Sequence, residues 1–471
     1  MKKDREEMLG KYDVKKLLIK LSVPAVLGMV VNALYNFVDT LFVAQGAGEI
    51  AIGGLALAFP IQMIAIAFSL MIGIGGASVF SRAFGRRDYK KMDHAVNSAL
   101  RVGFVGALAI AVLGTIYIDE LLIFFGATSS NIGFAKDYLS IVLIGLVFTS
   151  LNMILNNLTR AEGRPNIAMV SMMIGTGLNI ILDPIFIFNF GFGLGVQGAA
   201  IATVISQIAA FGYIFTQALT KKSSLNINFK GGLLVDFQTV KETIAVGFPT
   251  FLRNSLGAFL AIVIYRLINQ YAEGDPAIYI SIYGVINRVV MFIFLPGFGV
   301  VQGLVPIVGF NYGAQNFDRL KLAIKLATKF IALYFVGGFI FIQLFSKYIF
   351  TIFSEDHNLL FINYGSQAFR IMSFGFLLVG FQIVVSSIFQ ALGYPLRAML
   401  IALSRQILFF IPIAYLLTRY MGIDGIWIAF ATADILSGLI SIILLVYAIK
   451  GIGKIEMQSY KPTNEIIQEV I

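Results

Sequence analysis

The segment LSVPAVLGMVVNALYNFVDTLFVA, Leu21 to Ala44, decides the fold. It is apolar over the roughly 20 residues that a helix needs to cross a bilayer. Inside it stands a single acid, Asp39. Asn32, Tyr35 and Asn36 come seven, four and three residues before Asp39, so all four share one helical face. Moving a carboxylate toward the bilayer centre costs roughly 2.5–3.5 kcal/mol on insertion scales. Asp39 is therefore either an ion or proton site facing an interior cavity, or a structural hydrogen-bond partner near the interface.

Apolar runs of that length recur along the chain. The sequence is 58% hydrophobic and 13% charged, which is not the make-up of a soluble globular domain. A transmembrane barrel would alternate in segments of about ten residues, and no such alternation is present. The reading is an all-α polytopic membrane protein. With no cysteine there is no disulfide, thiolate metal site or cysteine nucleophile. The two histidines, His94 and His357, lie in or beside polar loops and offer little to zinc or haem. The net charge of +10 does not indicate nucleic acid, because the basic residues cluster in alternate loops. Met1 to Lys20 is basic and polar and lacks a signal-peptide cleavage site, so the first span is expected to be retained.

Twelve spans are expected. The first six are Leu17–Ala44, Ile50–Phe80, Ala95–Ile118, Ile132–Leu158, Ile167–Phe188 and Leu194–Leu219. The second six are Val240–Ile268, Ile278–Val305, Leu320–Phe345, Leu359–Phe389, Ala398–Leu417 and Ile423–Ile449. Residues 1–219 then form an N-terminal six-helix lobe and 240–449 a C-terminal one. Between them runs a polar linker at 220–239, and 450–471 is a tail. With the N-terminus placed inside, inner segments hold 27 of the 35 Lys and Arg, and outer segments only Lys136, Lys347 and Arg419. That split predicts cytoplasmic termini in a cytoplasmic (inner) membrane.

The two halves repeat each other. FGRRDYKKM (Phe84–Met92) pairs with YGAQNFDRL (Tyr312–Leu320), RAEGRPNIAM (Arg160–Met169) with QALGYPLRAM (Gln390–Met399), and GVQGAAIA (Gly195–Ala202) with GIDGIWIA (Gly422–Ala429). Pro24 pairs with Pro249 and Pro184 with Pro412, all at offsets of 225 to 230. Each half holds an even number of spans, so the halves insert in the same sense and relate by an axis along the membrane normal. Twelve helices in two pseudo-symmetric lobes around a cleft follow, and secondary transporters place substrate in such a cleft.

A second acid within a span is Asp183, in NIILDPIFIF (Asn179–Phe188). Pro184 follows it and Asn179 lies one turn before. Proline frees a carbonyl one turn back, so an acid, an amide and a loose carbonyl are expected together on a kinked helix. Oxygens of that kind suit Na⁺ or a proton relay. Asn152, Asn156 and Asn157 in the fourth span, with Thr203, Ser206 and Gln207 in the sixth, extend a polar pocket or simply bond helices together. The C-terminal lobe lacks both acids at the repeat offset. It carries Arg253, Arg266, Arg288, Arg370 and Arg405 instead, with Asp434 the acid clearly within a span. One arginine can pair with Asp434, and Arg288 and Arg405 can form a cationic cleft wall for anionic or zwitterionic groups. IGIGGAS (Ile72–Ser78) and PGFGVVQG (Pro296–Gly303) read as loose helix ends that either bend or permit close packing. Neither is a phosphate loop, since no strand precedes them and no Lys-Ser/Thr follows.

Taken together, LYNFVDTLFVA, FGRRDYKKM, RAEGRP, NIILDPIFIF and GVQGAAIATVIS resemble the multidrug and toxic compound extrusion (MATE) family of the flippase-like transporter superfamily. The likeness spans about Val14 to Ile449 and is closest to prokaryotic branches with an N-lobe cation site. It implies two six-helix bundles in a V and export driven by Na⁺ or H⁺ entry. By motif position the cation-coupling residues fall on Asp39, Asn179, Asp183 and Thr203, which would also hold Na⁺, with Tyr35, Tyr138 and Asn156 nearby. Tyr35, Asn36, Tyr138, Asn152, Asn156, Arg288 and Arg405 are the expected cavity residues. No cofactor beyond the coupling ion is implied. The expected partners are a small organic or lipid-like substrate and membrane lipids, and the expected state is a monomer. The function read is a cation-coupled antiporter exporting drugs or other amphipathic compounds by alternating access. The alternative is a flippase for lipid-linked or anionic amphiphiles. An intramembrane enzyme is opposed by the missing cysteines and peripheral histidines, and a channel by the two-lobe repeat.

Overall fold

A computed structural model describes residues 2–459 except 48, 126, 128–131, 190, 229–231, 233 and 355–357. Within helices, the side chains at 2, 35–37, 39–41, 44, 46–47, 49–54, 56, 258 and 451–459 also lie outside the described residues. Among the described residues every regular element is a helix. A short helix, α1 (Lys2–Lys11), comes first. The N-terminal half continues with α2 (Val14–Ala47), α3 (Glu49–Arg86), α4 (Tyr89–Ile116), the short α5 (Ile118–Phe124), α6 (Ile132–Ala161), α7 (Pro165–Ile187) and α8 (Gly195–Leu219). The C-terminal half holds α9 (Phe237–Tyr271), α10 (Pro276–Gly313), α11 (Phe317–Ile352), α12 (Leu359–Ser373), α13 (Phe376–Leu392), α14 (Pro395–Leu403), α15 (Ile411–Met421) and α16 (Asp424–Ser459). A π-helical turn, Ser404–Phe410, joins α14 to α15 within one span.

Local chemistry sets the boundaries. Pro165, Pro276 and Pro395 open α7, α10 and α14, where a missing N–H costs nothing. Asp88 caps α4 through the Lys91 N–H (3.0 Å), and Asp236 caps α9 through the Thr239 N–H (3.0 Å). Among the described residues eleven helices are long and apolar enough to span, and the bent pair α12–α13, taken as one span, makes a twelfth. The tenth span, expected as one helix over Leu359–Phe389, is thus broken and bends by 50°. Two tight bonds mark the break, from the Phe374 N–H to the Ile371 carbonyl (3.3 Å) and from the Gly375 N–H to the Met372 carbonyl (3.2 Å). There α16 presses close: a Cβ on Gly375 would lie 2.6 Å from the Asp434 Cβ. In the fifth span, α7 runs unbroken through Pro184 and ends one turn later at Ile187.

The repeat is visible in the backbone. Corresponding helices from α3/α10 to α8/α16 start 227 to 230 residues apart. Among the described residues the non-glycine positions with positive φ are Arg87 (60°) and Gln315 (57°), in the paired turns after α3 and α10. Gly163 (84°) and Gly393 (82°) are the paired turns before α7 and α14. The helices meet across the pseudo-axis as α2 on α10 and α3 on α9. Glycines permit this contact. A Cβ on Gly75 would fall 1.9 Å from the Thr243 carbonyl oxygen, and one on Gly247 equally close to that of Met71. On the other pair, Gly303 leaves room for Ser22, whose hydroxyl donates to the Val300 carbonyl (3.3 Å). The two glycine runs are therefore not loose ends: both lie inside long helices, α3 and α10, and serve close packing.

The turn between α3 and α4 is only Arg87–Asp88. The linker is strapped to the N-terminal half: Asn97 accepts from the Asn228 N–H (2.7 Å), and Asn226 donates to Asp93 (2.8 Å).

Candidate functional site

Three of the expected cation-coupling residues meet between α7 and α8. Asp183 is fully buried and Asn179 nearly so. Asn179 Nδ2 donates to Asp183 Oδ1 (3.0 Å) and lies 3.5 Å from Thr203 Oγ1, which fixes the amide's orientation. That orientation leaves Asn179 Oδ1 buried with no hydrogen-bond partner among the described residues. A buried acceptor without a donor costs on the order of 1–3 kcal/mol, which a cation would relieve. The set is one carboxylate with neutral oxygens, fitted to a hard monovalent cation or a proton. Among the described residues no three His, Asp or Glu gather as a transition-metal cluster.

An apolar plug lies beyond this set. Val43 of α2, Ile187 of α7 and Ala199 of α8 are each about 1% exposed and form one cluster. Asp183 comes one turn before Ile187, and Thr203 one turn after Ala199. Asp39 comes one turn before Val43 on α2, so its position in the chain is at the same level as the other two. The side chains of Asp39, Tyr35 and Asn36 lie outside the described residues.

The remaining expectations separate. Asn152 and Asn156 are buried in a different network. Asn156 Nδ2 donates to Asn152 Oδ1 (3.0 Å), and the single Ser171 hydroxyl proton is shared between Asn152 Oδ1 (2.9 Å) and the Ala210 carbonyl (3.0 Å). This network ties α6, α7 and α8 together, and Ser171 is two turns from Asn179 along α7. Tyr138 is buried in an apolar cluster with Val196 and Ala200, one turn before Thr203 on α8. In the C-terminal half Arg405 is bound through Nε and a terminal nitrogen (3.3 Å) to Asp434, which is 1% exposed. Arg288 is exposed and does not line the cavity that holds Arg405.

Sequence reasoning missed the contact that holds the halves together at their basic end. Arg82 of α3 pairs with Glu242 of α9 (2.9 Å), and Lys91 of α4 reaches the same carboxylate (2.7 Å). Ser78 Oγ donates to the Gln390 carbonyl (2.5 Å), also across the halves. The clue was Glu242 in an otherwise basic stretch, but only the fold shows what it faces. A 460 Å³ cavity near Pro249 and Pro395 is lined almost wholly by apolar side chains and has no chemistry of its own.

Comparison with known proteins bears on this arrangement. The MatE family model matches residues 24–185 and again 249–416, one copy per half. The chain is 26% identical over 450 residues to the multidrug export protein MepA of Staphylococcus aureus, covering 96% of this chain and 97% of that one. A multidrug-resistance MATE transporter solved in an outward-facing conformation superposes with a TM-score of 0.88 at 25% identity, covering 95% and 98%. A superfamily transporter from Pyrococcus furiosus, described as having a binding pocket of reversed polarity, matches with the same score, identity and coverage.

Proposed function

The chain belongs to the MatE family of membrane transporters, and from that premise we propose that it is a cation-coupled antiporter exporting amphipathic organic compounds, drugs among them. The observation that carries the proposal is the buried Asn179–Asp183–Thr203 set under its apolar plug. A proton or Na⁺ bound there lowers the cost of a carboxylate charge buried among helices. Loaded and empty forms then favour different packing of α7 against α2 and α8, its main neighbours. The ion thereby biases a two-state element. Asp39, at the same level on α2, is the second acid of the reading, and Tyr35, Asn36 and Tyr138 border the path.

The basic end is taken as cytoplasmic, with both termini there. The Arg82–Glu242–Lys91 contact and the glycine crossings close the cleft on that side. This is the state that receives a cation from outside, and likeness to an outward-facing relative supports it. The lobes are taken as residues 1–219 and 240–449 with the linker at 220–239, the tail at 450–471 and the protein acting as a monomer.

The test is efflux of a cationic dye from vesicles, with Na⁺ and pH gradients imposed separately. Wild-type export should follow one gradient. Asp183→Asn and Asp39→Asn should insert normally yet lose that dependence, with export falling at least tenfold. Gradient-dependent export surviving in both variants refutes the coupling role.

A further inference from the structure

The C-terminal half contains a second, smaller cavity, about 50 Å³, lined by charged, polar and apolar side chains of α9, α10, α13 and the α14–π turn. Two guanidinium groups line it, those of Arg253 and Arg405. Each stacks on a ring of α10: Arg253 on Phe298 at 5.6 Å and Arg405 on Phe294 at 5.9 Å, the rings being 6.5 Å apart. Arg405 is engaged by Asp434. Arg253 has no carboxylate partner among the described residues. The cavity wall thus carries two positive charges against one negative. Arginine does not escape by deprotonation, and an uncompensated charge away from water is costly.

Two further groups await a ligand. Ser386 lines the cavity at 3% exposure, and its hydroxyl has no partner among the described residues. Gln406 lines it with a buried, unpartnered Oε1, and its amide can turn to present the NH₂ group instead. A guanidinium fork, a hydroxyl and an amide form the donor set that a carboxylate oxygen pair accepts. The size agrees: a water needs roughly 10–15 Å³ of such space, so 50 Å³ holds one small head group and not a whole drug. Ile383, Ile401 and Ala402 complete the wall and offer an apolar surface to the attached chain.

We propose that this cavity is an anion site that takes the carboxylate head of an amphiphile, with Arg253 as its anchor and Ser386 and Gln406 as donors. It goes beyond the cation-coupled reading, which places its ion in the other half. Helices α9 and α10 are the C-terminal elements that pack on α3 and α2, so the site sits directly behind the interface between halves.

The test is thermal stabilisation of the purified full chain in a neutral detergent. The probes are decanoate, acetate and decyltrimethylammonium. Decanoate should raise the melting temperature of the wild type. Its half-effective concentration should rise at least tenfold in Arg253→Gln and recover in part in Arg253→Lys. Ser386→Ala should weaken it several-fold. Decyltrimethylammonium should give the same small response in all four proteins. An Arg253-dependent response to acetate as well would assign binding to the head group alone, and its absence to head and chain together; both support the site. An equal decanoate response in wild type and Arg253→Gln overturns it. Should Arg253→Gln not fold, an unchanged response in Ser386→Ala overturns it alone. Binding is read without any gradient, so the outcome is independent of cation coupling.

Discussion

Glu162 shows how much a single carboxyl can disclose. It stands in the three-residue turn between α6 and α7, fully buried, and accepts hydrogen bonds from Ser223 Oγ (3.1 Å) and the Ser224 N–H. Arg164 lies 3.7 Å away. Burial pushes its carboxyl above the ordinary value of 4.5, with Ser224, Arg164 and Ser223 pulling against that. A raised folded-state pKa means that the folded chain binds the proton more tightly than the unfolded one. Stability is therefore fullest below about 4.5 and declines as pH rises toward the raised value. Melting curves from pH 4 to 7 should show this decline in the wild type and a flatter profile in Glu162→Gln; identical slopes would contradict it.

At the scale of elements, α1 acts as a latch. Met8 and Leu9 are buried, Glu6 bonds Arg87 (3.0 Å) and Tyr89 (2.8 Å) of one half, and the Leu9 carbonyl accepts from Asn311 (3.2 Å) of the other. Burying two such side chains contributes roughly 1.5–3 kcal/mol each. Deleting residues 2–11 should therefore favour separation of the halves at this end. The chain has no cysteine, so Thr243→Cys, buried beside Gly75, makes a clean reporter. Its labelling from the basic side should rise several-fold in the deletion. Gly75→Ala should act the same way, because its methyl would meet the Thr243 carbonyl at 1.9 Å. Overpacking of that kind costs roughly 1–3 kcal/mol. A labelling rate unchanged by both would show that the crossing is not the closing contact.

For the whole molecule, the two halves are alike in backbone and unlike in chemistry. The left-handed turns recur at Arg87 and Gln315 and at Gly163 and Gly393, yet the first half buries an acid–amide set and the second lines a cavity with a pair of half-buried arginines. Glu242 compensates both Arg82 and Lys91 at the closed end, with its side chain 27% exposed. Glu242→Gln should weaken closure by about 1–2 kcal/mol, discounted for that exposure. The balance should shift roughly tenfold toward opening at the basic end, read as faster labelling of Thr243→Cys and altered export. A variant that labels and exports like the wild type would place closure elsewhere.

The sequence by itself determined the class, the repeat and the acids. Apolar length, alternation of charge and a constant offset are local or periodic properties, and the bilayer reads them directly. It also put Asn179 one turn before Asp183 and Pro184 on one helix, since helical spacing acts over one turn, while Thr203 entered the cation set only through the family resemblance. Tertiary structure decided what depends on two distant elements meeting. It chose Arg405 as the partner of Asp434 and left Arg253 without a carboxylate partner among the described residues. It set Asn152 and Asn156 in a helix-binding network two turns from Asn179, paired Glu242 with Arg82, and broke the tenth span where Gly375 yields to α16. Charge pairing and close packing act through space, and one chain read in order carries no record of those distances.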